Sequence, residues 1–216
     1  MHLNNITIST ITLVAAGAVL SFPVLYQGFQ RRGKGVKYEQ SFVIQRAPQY
    51  ASIATIGLIF ASFLSFNHIL HGHLVVPLTT VAPLLPCFLR VAVSLLGVAV
   101  LFSGLVFMIG GWYSLGDCFT TDAEVLDKHT IRKNGLLQYV MHPAYSGIIQ
   151  SLLGASLAAL SLTSALAVVF IVAPLWLNRA KYEEKLMLEA FGQSYSEYGE
   201  SLKWRRLIPP FIPIGI

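Results

Sequence analysis

Four stretches of this chain run without a charged residue for long enough to cross a bilayer: 8–27, 51–70, 91–112 and 144–177. A helix needs about 20 apolar residues to span ~30 Å of hydrocarbon, and within lipid its backbone groups must bond to one another. The fourth stretch constrains the fold most. Its 34 residues would make a straight helix of roughly 51 Å at ~1.5 Å per residue, too long for one span. Ser161-Leu162-Thr163-Ser164 lies near its middle, so the pattern predicts two helices joined there as a tight hairpin.

The expected fold class is therefore all-α, a polytopic transmembrane helical bundle of about five spans with a C-terminal helical hairpin and a cytoplasmic tail. Composition agrees. Only 12% of the 216 residues are charged and 55% are hydrophobic, against about 25% charged in an ordinary soluble domain. A soluble fold has no polar skin to cover that much apolar surface. The apolar run near Met1-His2-Leu3-Asn4-Asn5 lacks the basic start of a signal peptide and reads as a retained first span. The segment 74–89 holds Pro77, Pro83 and Pro86, which makes it an interfacial or re-entrant connector rather than a span.

The net charge of +5 is less informative than its placement. Arg31, Arg32, Lys34, Lys37 and Arg46 form one basic group, Lys128, Arg132 and Lys133 a second. The third holds Arg179, Lys181, Lys185, Lys203, Arg205 and Arg206. Only Arg90 stands apart. Five spans put all three groups on one side, cytoplasmic by the positive-inside rule, whereas counting 74–89 as a sixth span does not. No contiguous basic face with interleaved aromatics exists, so nucleic acid is not an expected partner. We expect one integrated domain, with N-terminal transmembrane helices over 1–112 and a catalytic region over 113–216. Cys87 and Cys118 form neither a metal-like spacing nor a disulfide framework. His68, His71 and His73 fall in a connector and read as interfacial histidines, and no metal is expected.

Polar and ionisable residues gather in 113–145 and 178–206. Asn134-Gly135 is a tight-turn signal. Pro143 suits a helix's first turn, which places His142 at its mouth among backbone N–H groups without helical partners. Arg179 and Glu183 are four apart and share a helix face, either as an exposed surface pair or as part of a site. Gly192 can end their helix. Ser151, Gly154 and Ala158 have the small-residue spacing of close helix packing.

Taken together, His142-Pro143-Ala144-Tyr145-Ser146-Gly147, the hairpin, then Arg179, Glu183-Glu184, Gly192, Tyr195, Tyr198 and a Pro-rich end resemble the isoprenylcysteine carboxyl methyltransferase family. That family sits in a wider group of membrane methyltransferases that includes phospholipid N-methyltransferases. The resemblance covers roughly 112–210. It implies methyl transfer from S-adenosyl-L-methionine. The implied cofactor residues are His129, Thr130, Ile131, Arg132, Leu137, His142, Pro143, Ala144, Tyr145 and Glu183. Arg179, one turn before Glu183, is implied to face the substrate's carboxylate, and Arg179 and Glu183 form the implied catalytic pair. Two positions depart from the family pattern: Met141 stands where Arg commonly precedes the His-Pro motif, and Leu137 where a Tyr is usual.

The expected partners are a lipophilic or prenylated acceptor and membrane lipids. The expected location is the endoplasmic reticulum in a eukaryote or the inner membrane in a prokaryote, with the site facing the cytoplasm. A sulfonium is an activated methyl donor, so a carboxylate acceptor needs alignment and water exclusion but no base. An amine acceptor has to lose a proton, and Glu184 or His142 could take it. Three alternatives stand beside the carboxylate reading: a phospholipid-amine or small-thiol methyltransferase, a nicotinamide-dependent membrane reductase of similar architecture, and a non-catalytic or transport component. The last would place ionisable groups mid-span, and the apolar stretches contain only His68, near one end.

Overall fold

The computed structural model describes residues 3–38, 41–66, 80–81 and 84–202. His68, His71 and His73, the basic residues Lys203, Arg205 and Arg206, and the C-terminal prolines lie outside the described residues, as does half of the 74–89 connector. The described elements are α1 (Leu3–Arg31), β1 (Gly35–Tyr38), the single turn α2 (Phe42–Gln45), α3 (Ala47–Phe66), α4 (Cys87–Leu115), β2 (Glu124–Leu126), α5 (Pro143–Ala158), α6 (Leu162–Phe191) and α7 (Gln193–Ser201). Among the described residues, four helices are long and apolar enough to cross a membrane: Ile6–Arg31, Ala47–Leu64, Cys87–Cys118 and Leu162–Phe191. The chain is an all-α membrane bundle, as its apolar runs require.

The hairpin forms where the polar patch predicts it. α5 ends at Ala158, Leu160 takes φ 52°, and Ser161 caps the next helix by accepting from the Ser164 N–H. With 16 residues, α5 measures about 24 Å at ~1.5 Å per residue, the shorter arm. α6 passes through a π turn at Val168–Val172 just before Pro174. Proline has no N–H to return to the preceding turn, and a locally widened turn accommodates that loss inside a continuous helix.

The chain divides into two compact units, each drawn from three segments. The first comprises Met1–Gly17, Gln49–Leu105 and Ile149–Pro174. There α4 and α5 meet backbone to backbone. A Cβ on Gly97 would lie 2.3 Å from the Ala158 nitrogen, one on Gly104 would lie 2.4 Å from the Ser151 nitrogen, and one on Gly154 would lie 2.2 Å from the Leu101 nitrogen. The small residues are there because nothing larger fits, the packing mode of helices that gain no hydrophobic drive from lipid. Ser62 and Ser161 hydroxyls bond at 2.8 Å in the same unit.

The second unit comprises Ala18–Pro48, Val106–Ile148 and Leu175–Ile216. It contains the only sheet among the described residues, an antiparallel β1–β2 ribbon pairing Gly35 with Leu126, Lys37 with Val125 and Tyr38 with Glu124, with a bulge between Gly35 and Lys37. Nothing in the apolar pattern announces this ribbon. Its strands are three and four residues long, and side-chain bonds hold them. One apolar cluster groups Val24, Trp112, Phe119 and Ala144; another groups Met141, Tyr195, Tyr198 and Leu202.

Candidate active site

Between Leu115 and Pro143 the second unit has almost no regular structure, and side chains do the work of a backbone ladder. Gly135 takes φ 59° and opens a short 3-10 turn, as Asn134-Gly135 foretells. Pro143 begins α5, and the His142 carbonyl accepts the Ser146 N–H, so His142 caps the helix mouth. Gly192, at φ 53°, ends α6 and starts α7. From α7 the Tyr198 hydroxyl donates to the Leu137 carbonyl at 2.6 Å in a buried position, fastening the last helix to the loop.

That fastening has a measurable weight. Tyr198→Phe is expected to lower stability by about 1–2 kcal/mol, because a buried carbonyl loses its donor, and a reduced unfolding temperature in detergent checks it. Burial pushes the Tyr198 phenol up to about 12, above the ~10 of a free phenol. Its stabilising contribution is therefore complete below pH ~10 and is lost as pH climbs through 12. The difference between wild type and Tyr198→Phe should shrink over that window.

An open cavity lies in this unit, its empty volume about 880 Å³ with the open mouth included. The structure brings His129, Thr130, Ile131, Arg132, Leu137, His142, Pro143, Ala144, Tyr145 and Glu183 together on its lining. These are ten of the eleven expected site residues. Arg179 is the exception. It is 2% exposed and does not line the cavity. Its Nε donates to Glu183 Oε1 at 3.0 Å and to the Tyr145 hydroxyl at 3.1 Å. Its Nη1 reaches the Gln45 carbonyl at 3.2 Å, and Nη2 the Thr121 carbonyl at 2.9 Å. The guanidinium also lies 5.6 Å from the Trp176 ring centroid and 5.9 Å from that of Tyr145. Arg179 thus stands buried behind Glu183 and Tyr145, the two cavity residues it holds.

Around the His-Pro motif the contacts are dense. The Tyr145 hydroxyl donates to Glu183 Oε1 at 2.5 Å, and the Tyr145 ring stacks on His142 with centroids 5.4 Å apart and planes within 2°. His142 Nε2 is 3.1 Å from Glu184 Oε1, and its Nδ1 is 4.0 Å from Glu183 Oε2. Elsewhere on the lining, His129 Nδ1 is buried with no hydrogen-bond partner in the protein. Burial holds the His129 imidazole below its ordinary value, with Arg132 pushing the same way and Glu183 opposing. His129 thus lines the cavity with a neutral ring whose buried Nδ1 has no partner in the protein.

Asp122 and Glu124 also line the cavity, and sequence reasoning gave them no role. Asp122 is 3% exposed. Its carboxylate accepts from Arg46 Nη1 at 2.8 Å, Arg46 Nη2 at 3.2 Å and Arg32 Nε at 3.1 Å. Glu124 accepts from the Gly33 and Gly35 N–H groups and from the Thr120 hydroxyl, at 3.1, 2.8 and 2.6 Å. Gln45 completes the tie by exchanging two bonds with the Ala123 backbone, at 2.9 and 3.1 Å. The signal available in sequence was only that acids in 117–127 and bases in 31–46 are both unusual in so apolar a chain.

Comparison with curated proteins gives no match. Residues 93–189 match the model of the isoprenylcysteine carboxyl methyltransferase (ICMT) family, a stretch that includes most of the cavity's lining.

Proposed function

We propose that the chain is an S-adenosyl-L-methionine-dependent integral membrane methyltransferase acting on a lipophilic acceptor, with the cavity as its active site. The observation that carries this reading is the mixture on one cavity wall. A carboxylate (Glu183), an arginine (Arg132), an unsatisfied buried imidazole nitrogen (His129) and an apolar face (Ile131, Leu137, Tyr195) stand together. The proposed cofactor carries a carboxylate, an ammonium and sulfonium cation, and a flat heterocycle, and each finds a matching group. Arg132 would take the carboxylate, Glu183 the positive charge, and His129 with the apolar face the heterocycle. When bound, that cofactor supplies a methyl group on an already activated sulfur. The protein's own task is then positioning and dryness. Tyr145 and Arg179 fix the Glu183 carboxylate, and Tyr198 and Met141 close the wall near Leu137.

The family's description names a prenylated cysteine carboxylate as the acceptor class, and a lipophilic acceptor suits a site carried by membrane helices. Arg31, Arg32, Arg46 and Arg132 lie in the unit that holds the site, which supports a cytoplasmic orientation. Isothermal calorimetry on the detergent-purified chain tests the cofactor. Binding of S-adenosyl-L-methionine and of its demethylated product is expected, without binding of a nicotinamide dinucleotide. His129→Phe should weaken that binding by about 3–10-fold, the worth of one hydrogen bond. Absence of binding to both donor and product rejects the reading, and nicotinamide binding in their place favours a reductase.

A further inference from the structure

We propose that the first turns of α4 form a binding site for an anionic phospholipid, whose phosphate group Arg90 and Ser94 hold. The site is independent of methyl transfer. Charge is divided unequally between the two units. All ten acidic residues of the chain fall in the second, together with every lysine and arginine except Arg90. Arg90 therefore has no carboxylate in its own unit to meet. It is half-buried, and its Nε is enclosed with no hydrogen-bond partner among the described residues. An arginine that only stretched toward water would keep its whole head hydrated. A cation enclosed without a counter-charge is costly, and an anion from outside the chain removes that cost.

Ser94 stands one helical turn further along the same face. It is 1% exposed, and its hydroxyl also has no partner among the described residues. That face continues through Gly97, Leu101 and Gly104, where α4 meets α5 backbone to backbone, so both groups lie where the close-packed seam reaches the helix end. A forked guanidinium and a hydroxyl donate to different oxygens of one phosphate. The first N–H groups of α4, which have no intrahelical partner, add a positive field at the same end. The surroundings identify the phosphate's source. Leu84, Phe88, Leu95 and Leu96 are exposed beside the polar pair, a surface that acyl chains cover and a free phosphate does not. A zwitterionic headgroup brings its own cation beside the phosphate, so an anionic lipid neutralises Arg90 better. α4 crosses the membrane, and Trp112 and Leu115 at its far end line the cavity, which puts the lipid in the opposite leaflet.

The test uses the full-length chain in detergent, followed by native mass spectrometry and by thermal unfolding. It is titrated with phosphatidylglycerol, with phosphatidylcholine of the same acyl chains, and with inorganic phosphate. We expect one phosphatidylglycerol to bind at least about tenfold more tightly than phosphatidylcholine and to raise the unfolding temperature. Inorganic phosphate should do neither. Arg90→Gln should lose at least about tenfold in phosphatidylglycerol affinity, and Ser94→Ala about 3–10-fold. In lipid-free detergent Arg90→Gln should unfold at the wild-type temperature or above it, because an uncompensated charge has been removed. That result also shows the variant to be folded. Equal affinity for the two lipids, wild-type affinity in Arg90→Gln, or binding of inorganic phosphate in place of lipid overturns the assignment. A lower unfolding temperature for lipid-free Arg90→Gln overturns it as well, since the arginine would then be serving a partner inside the chain.

Discussion

Arg179→Ala is expected to lose donor binding and folding stability together, and not catalysis alone. The side chain is 2% exposed and serves four acceptors: a carboxylate, a phenol oxygen and two backbone carbonyls. Removing it leaves Glu183 without its cation and the carbonyls of Gln45 and Thr121 without their donor. Breaking a buried charge pair from one side costs about 3–5 kcal/mol, since the remaining charge stays desolvated. Glu183 is then expected to turn away, and donor affinity to fall by at least about tenfold, because on the function proposed above its carboxylate meets the donor's positive charge. Arg179→Lys should fare little better. One ammonium cannot point in the three directions that Nε, Nη1 and Nη2 cover. Thermal unfolding in detergent and calorimetric donor titration check both halves. If Arg179 instead faced the acceptor, as the resemblance implies, the alanine variant would keep its unfolding temperature and donor affinity and lose only turnover.

This contrast shows what a sequence can carry about such a site. Membrane spans are legible because their cause is local: a run of apolar residues meets the bilayer alone, with no partner to be guessed. The hairpin at Ser161, the helix start at Pro143 and the stop at Gly192 are legible for the same reason, each being a property of one residue's backbone or hydroxyl. Ten residues of the cavity lining could be named because the family resemblance implies them, from three separate stretches of the chain. Arg179 shares a helix face with Glu183, and that much spacing does reveal. Whether the face looks outward, into the cavity or behind it depends on Gln45 and Thr121, which are 134 and 58 residues away. No periodicity encodes such a distance. The β1–β2 ribbon escapes for a related reason: Glu124 holds Gly33 and Gly35 through backbone N–H groups, and any residue can supply those.

The segment before α3 lies outside the stretch that matches the family, yet it holds one wall of the cavity, and Asp122→Asn should show how much depends on it. The change keeps the side chain's size and removes its charge. Arg32 and Arg46 then face a neutral amide in place of a carboxylate bound at 2.8–3.2 Å. Their side chains are 37% and 20% exposed, so water recovers part of the loss. About 1–3 kcal/mol is the expected cost, below that of a fully buried pair. The functional effect should exceed the effect on stability. Asp122 is one residue from the Thr121 carbonyl that Arg179 grips and two from Glu124, so loosening it displaces a lining carboxylate and the support of Glu183 together. Donor affinity should therefore fall severalfold even at temperatures where the variant is fully folded. A double-mutant cycle with Gln45→Ala separates the causes. Gln45 pairs with the Ala123 backbone and carries no charge. If the two ties act on one loop, their effects on donor affinity will be strongly non-additive, since either change alone frees the segment. Additive losses would mean that Asp122 acts through its charge at the cavity and not through the loop it anchors.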